Sequence, residues 1–240
     1  MRQESYVADP NPIGAPAPLS SDDERPGACI PAWRIAVAVT WSLVCGPVVA
    51  LLLTLRGGAW WAMAGYHVGC VIATRAVDVK HERPARPVLL ALVLLASLGV
   101  VIGAGASANR EIWSGGASLW RGWGLAPPGD LVWLAYYALV NPWIEERYWR
   151  GALLGDAVTR RIGRRAARTL AVVAFLDHHA VVLVPSFGWR AAGLLCIAIG
   201  AAAACWVWMH ERTRGLAFCI ASHAGADAGL VLLYLLWVRA

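Results

Sequence analysis

Residues 87–105 read PVLLALVLLASLGVVIGAG, nineteen residues without one charged side chain. Coiled as a helix, that stretch rises about 28 Å at 1.5 Å per residue. The hydrocarbon core of a bilayer is about 30 Å thick, so the run is long enough to cross it.

Working outward, six more apolar segments can be marked, at 35–55, 59–74, 129–155, 169–184, 191–209 and 215–238. The whole chain agrees with them: of 240 residues, 59% are hydrophobic and 15% charged, where soluble domains carry about 25% charged residues. The expected fold is an all-α polytopic transmembrane bundle of about seven spans, with six and eight as its bounds. Residues 1–34 hold six prolines and the acidic run Asp22, Asp23 and Glu24; this composition cannot build a packed core and predicts a disordered tail. Residues 35–128 then form an N-terminal group of transmembrane helices with an amphipathic piece at 108–127 on the outer surface. Residues 129–240 form the part that carries the chemistry.

The net charge is +6, nearly all arginine. Arginines cluster at 75–86, 156–168 and 210–214 and are sparse in the alternate loops. With seven spans the rich loops share one side, and the positive-inside rule makes that side the cytoplasm, with the N-terminus in it. A nucleic-acid footprint would be a clustered basic face on a soluble domain, so no nucleic-acid partner is expected. The Ala, Gly and Arg-rich composition suggests a bacterial plasma membrane. Six cysteines form no C-x-x-C pair and read as small buried hydrophobes.

Three segments carry ionisable groups in their interiors. The 129–155 segment holds Glu145, Glu146, Arg147 and Arg150; the 169–184 segment holds Asp177, His178 and His179; the 215–238 segment holds His223 and Asp227. Each such group near the bilayer centre costs about 2.5–3.5 kcal/mol on insertion scales. By helix rise, Glu145 and His179 lie roughly 15 Å deep, and His223 and Asp227 roughly 12–18 Å. The three helices therefore bring acids and imidazoles to one level, where they are expected to face each other. Glu146 and Arg150 are four apart and suit an ion pair, leaving Glu145 on another face for chemistry. His67, alone in its segment, reads as an interhelical hydrogen bond. Asp177 reads as a partner for Arg147, and Phe175 as packing or substrate contact.

The pattern Glu145-Glu146-x-x-x-Arg150, then Phe175-x-x-x-His179, then His223-x-x-x-Asp227 resembles the three ordered motifs of the CAAX-protease and bacteriocin-processing family, also called Abi. The resemblance covers about residues 130–235. It implies a membrane-embedded, cofactor-independent endopeptidase, acting on a peptide or protein that is lipid-modified in the eukaryotic members. It implies that Glu145 and His179 activate the attacking water and that His223 and Asp227 form the oxyanion site. Glu146 and Arg150 would brace their helix, with Phe175 and His178 in support. The prenyl-protein proteases carry asparagine where this chain has Asp227. Zinc held by Glu145, His179 and His223 is a lesser variant, since three helices could supply three ligands. Two other classes stay open: a non-catalytic membrane protein for bacteriocin self-immunity or scaffolding, and a proton or ion transporter built on the same buried groups.

Overall fold

The structure, a computed structural model, describes residues 30–77, 79, 86–107 and 116–239. Among these every regular element is helical. In order they are α1 (Ala32–Leu53), α2 (Gly58–Val77), α3 (Pro87–Ser107), a short α4 (Ala117–Gly122), α5 (Gly129–Leu139) and α6 (Asn141–Glu146). A π-helical stretch, Arg147–Ala152, leads to α7 (Asp156–Ile162), α8 (Arg164–Thr213) and α9 (Ala217–Tyr234), which winds on as a π-helix through Leu235–Arg239. The tail at 1–29, most of the 78–85 loop and the first part of the amphipathic piece lie outside the described residues.

Among the described residues four helices are long and apolar enough to cross a bilayer: Ala32–Leu53, Pro87–Gly105, Arg164–Thr213 and Ala217–Arg239. Their outer faces are apolar and exposed, with Val88 at 70%, Val100 at 71% and Ile197 at 72%. Such surfaces would drive aggregation in water and are favourable against acyl chains. The chain is a multi-pass membrane protein.

Two expected spans, 169–184 and 191–209, are the arms of α8. Pro185 and Gly188 interrupt it, and Gly188 has φ 71° and ψ 164°, a backbone that a residue with a Cβ rarely adopts. The arms fold back on each other. Arg168 donates to both carboxylate oxygens of Glu211 at 2.7 and 2.8 Å, although a straight helix would hold residues 43 apart about 65 Å from each other. The expected 129–155 span needs a correction, because it is not one helix. It breaks at Val140 (φ −104°), since Pro142 has no N–H to give and crowds the preceding turn. It restarts as α6 and widens into the π stretch just after Glu146.

The arginine-bearing segments gather at one end of the bundle. There Arg34 donates to the Arg75 carbonyl, Val79 lies against Gly151 beside Leu216, and the Arg168–Glu211 pair ties the two ends of α8. Along its length α9 packs on α3. At the closest approach Gly225 meets the Leu94 carbonyl so tightly that a Cβ would overlap it. This contact seats α9, and with it His223, against helices from the first half of the chain.

Candidate active site

The second half of the broken segment, 141–153, is closely packed inside the bundle, while α5 leaves Leu131, Val132 and Leu139 exposed. Tyr148, Trp149 and Leu153 are 0% exposed. Glu145 is buried at the end of α6. Its Oε1 faces His178 Nε2 at 3.6 Å, and its Oε2 faces His223 Nε2, also at 3.6 Å. Both separations exceed a direct hydrogen bond, which for nitrogen and oxygen is about 2.7–3.2 Å. Oε2 makes no hydrogen bond among the described residues.

His179 lies beside this carboxylate. Its Nδ1 donates to the Phe175 carbonyl at 2.8 Å; a carbonyl only accepts, so the proton is on Nδ1 and Nε2 keeps its lone pair. Phe175 is 1% exposed, and its ring lies 4.4 Å from the His179 ring and 5.9 Å from that of His223. It is a shared packing floor for two site imidazoles.

His223 comes from α9. Its Nδ1 binds Glu146 Oε1 at 2.8 Å, and its Nε2 faces Asp227 Oδ1 at 3.7 Å as well as Glu145. The indole of Trp206 stacks on it at 4.4 Å. The Glu146–Arg150 pair forms as its i,i+4 spacing suggests, at 2.9 Å with both side chains fully buried. The guanidinium also stands over the rings of Phe175 at 4.8 Å and Trp206 at 5.0 Å. It donates to the Ala203 carbonyl as well. One charged pair thus ties α6 to both arms of α8 and, through His223, to α9.

The sequence-predicted residues Glu145, Glu146, Arg150, Phe175, His178, His179, His223 and Asp227 meet in this cluster. His178 is more central than its adjacency to His179 suggests, because its ring is clamped between Trp149 (5.6 Å, 7°) and Tyr66 (4.7 Å, 26°). Asp177, on the same helix, lies against Gly46 of α1, and Arg147 stands over the Trp143 ring at 4.9 Å. Sequence reasoning did not single out Tyr66, Trp206 or Asn141. Asn141 had a signal: it is four residues before Glu145 and so shares its face. Its Nδ2 donates to Asp227 Oδ2 at 3.0 Å.

His67 makes the interhelical bonds expected of it. Because Asn141 spends its amide N–H on Asp227, its Oδ1 must accept from His67 Nε2 at 2.8 Å. His67 Nδ1 then accepts from the Tyr136 hydroxyl at 2.7 Å. The chain Tyr136, His67, Asn141, Asp227 is therefore polarised in one direction. Replacing His67 by phenylalanine orphans a buried amide oxygen and should destabilise the fold by about 1–3 kcal/mol. The test is the unfolding midpoint, with Tyr136→Phe in a double-mutant cycle. The pair should lose less than the sum of the singles; strict additivity would deny that the chain acts as a unit.

Of the residues able to hold a metal, Glu145, His178 and His179 have ligand atoms within 4.8 Å of one another. A closed zinc site uses four protein ligands, so this set of three is not one. It also differs from the Glu145, His179 and His223 set expected from sequence.

Comparison with known families decides the kinship. Residues 127–229 match the family model described as type II CAAX prenyl endopeptidase Rce1-like. This part of the chain is similar to the Rce1-like family. The resemblance drawn from the three motifs is thereby borne out, since Rce1-like proteins are the CAAX-protease and bacteriocin-processing family. Comparison with curated proteins and with solved structures finds no match. The Rce1-like segment contains Asn141, Glu145, Glu146, Arg150, Phe175, His178, His179, His223 and Asp227; Tyr66 and His67 lie upstream of it. The Rce1-like family is a protease family, which supports peptidase activity, peptide or protein substrates and a membrane setting for this chain.

Proposed function

We propose that the chain is an intramembrane endopeptidase that hydrolyses a peptide bond with a water activated by Glu145 and His179. The observation that carries this reading is the buried Glu145 carboxylate, facing imidazoles from two helices and with a His179 ring nitrogen within 4.8 Å, whose Oε2 has no direct hydrogen bond among the described residues. In the proposed reaction the water is held by Glu145 and the Nε2 lone pair of His179. Glu145 takes a proton as the water oxygen attacks the carbonyl carbon, then returns it to the departing amine. His223, as an imidazolium with Nδ1–H held by Glu146, donates from Nε2 to the developing oxyanion. Asp227, fixed by Asn141, completes the oxyanion site beside His223, either as a protonated carboxyl or by orienting the imidazole. In this reading residues 129–240 are the catalytic core and α1 to α3 complete its walls. The N-terminus is on the cytoplasmic side of a bacterial membrane, by the arginine distribution.

The test is cleavage of a membrane-peptide library by the purified chain, followed by mass spectrometry, with Glu145→Gln as control. Asp227→Asn keeps the hydrogen bond to Asn141 and offers a neutral side chain beside His223, so it should preserve or raise activity. Complete loss would remove Asp227 from the oxyanion role.

A metal-assisted reading is favoured by one observation, the mutual reach of Glu145, His178 and His179. Under the water-activation proposal, dialysis against a chelator leaves cleavage unchanged. Loss of activity restored by zinc would transfer the site to the metal reading.

A further inference from the structure

We propose that the groove between α1 and α2 binds one anionic phospholipid, with an acyl chain along the groove and the phosphate at Arg34 and Arg75. The groove is shallow and open, with a volume of about 590 Å³. Its walls include Trp33, Val37, Trp41 and Val44 from α1 and Val68 and Ile72 from α2. It runs from Trp33 to Val48, a rise of about 22 Å that exceeds the ~15 Å depth of one leaflet's hydrocarbon. Its walls are almost wholly apolar along that length and suit a hydrocarbon chain.

The end of the slot is basic by construction. Arg34 stands seven residues before Trp41, and Arg75 seven after Val68; two helical turns return to the same face within about 20°. Each arginine thus continues one wall of the groove. The Arg34 guanidinium crosses from α1 to the Arg75 carbonyl at 3.2 Å, fixing a positive group at the mouth. Neither arginine has an acidic partner among the described residues. Trp33, 65% exposed, lies beside Arg34, and tryptophan favours the headgroup level. An apolar slot with two arginines at its interfacial end, neither with an acidic partner among the described residues, is complementary to an anionic phospholipid. The proposal is independent of the peptidase reading.

The experiment is native mass spectrometry of the chain released from nanodiscs of equal phosphatidylglycerol and phosphatidylcholine with identical acyl chains. Retention of phosphatidylglycerol over phosphatidylcholine by about tenfold or more is expected from two arginines. The Arg34→Gln/Arg75→Gln pair, at solvent-reaching positions, should abolish that preference without lowering the unfolding midpoint. Thr40→Trp, and separately Val44→Trp, fill the slot and should lower retention of both lipids. Equal retention of the two lipids by the unaltered chain overturns the proposal, as does a preference untouched by the arginine pair. Retention untouched by both tryptophan variants removes the lipid from the groove. Recovery of a second copy of the chain in place of lipid, lost in Thr40→Trp, assigns the groove to a helix and equally overturns it.

Discussion

Exchanging Glu145 for glutamine is expected to leave a folded chain that cleaves about 10²–10⁴-fold more slowly, the contribution of a positioned general base. The exchange keeps the side-chain shape and an acceptor oxygen, so packing against His178 and His223 survives. It removes the only function glutamine cannot supply, acceptance of the water proton. No direct hydrogen bond ties Glu145 to either imidazole, each 3.6 Å away, so little structural bonding is lost with the charge. The measurement is single-turnover cleavage of whichever library peptide the unaltered chain cuts, alongside the unfolding midpoint of both proteins. An unchanged rate in the glutamine variant would take Glu145 out of the mechanism. The self-immunity, scaffolding and transport readings would then regain their place.

The second large effect is structural. Arg150→Met should destabilise the fold by about 3–5 kcal/mol, because it leaves Glu146 charged and fully buried beside a single remaining partner, His223. Methionine roughly fills the space of the arginine stem, so the loss reports the uncompensated charge and the cation over the Phe175 and Trp206 rings rather than a cavity. Adding Glu146→Gln to Arg150→Met removes the orphaned charge and should recover part of the loss. Arg150→Lys should fall between, since an ammonium cannot form the planar fork that reaches both Glu146 and the Ala203 carbonyl. Unfolding in mixed micelles with increasing dodecyl sulfate measures all four. If Arg150→Met unfolds with the unaltered chain, the pair does not brace the bundle.

Much of this was legible in the sequence because lipid makes the rules strict. Uncharged runs such as 87–105 have few alternatives to a span, and the cost of burying Glu145, His179 and His223 forces them to find each other. The i,i+4 spacing of Glu146 and Arg150 was enough to pair them. The gap between the apolar runs 169–184 and 191–209 showed where two spans separate, though not that the arms would close through Arg168 and Glu211. Other features were hidden for definite reasons. The π-helical winding of 147–152 follows from tertiary packing and has no residue signature. The break at Val140 is announced by Pro142, but an apolar window averages over it. The stacking of His178 between Tyr66 and Trp149 could not be read, because Tyr66 is 112 positions from His178 along the chain. Asn141 was overlooked although its spacing from Glu145 could have exposed it.

The seat of Gly225 on the Leu94 carbonyl, together with the hydrogen bonds from His67, means that the stretch recognisable by kinship is not a portable module. A fragment starting at residue 127 would strip α9 of the wall it leans on and leave the Asn141 amide unsteered. Transplanting this chemistry into another scaffold, or trimming the chain to its smallest working form, has to keep α2 and α3 even though no motif marks them.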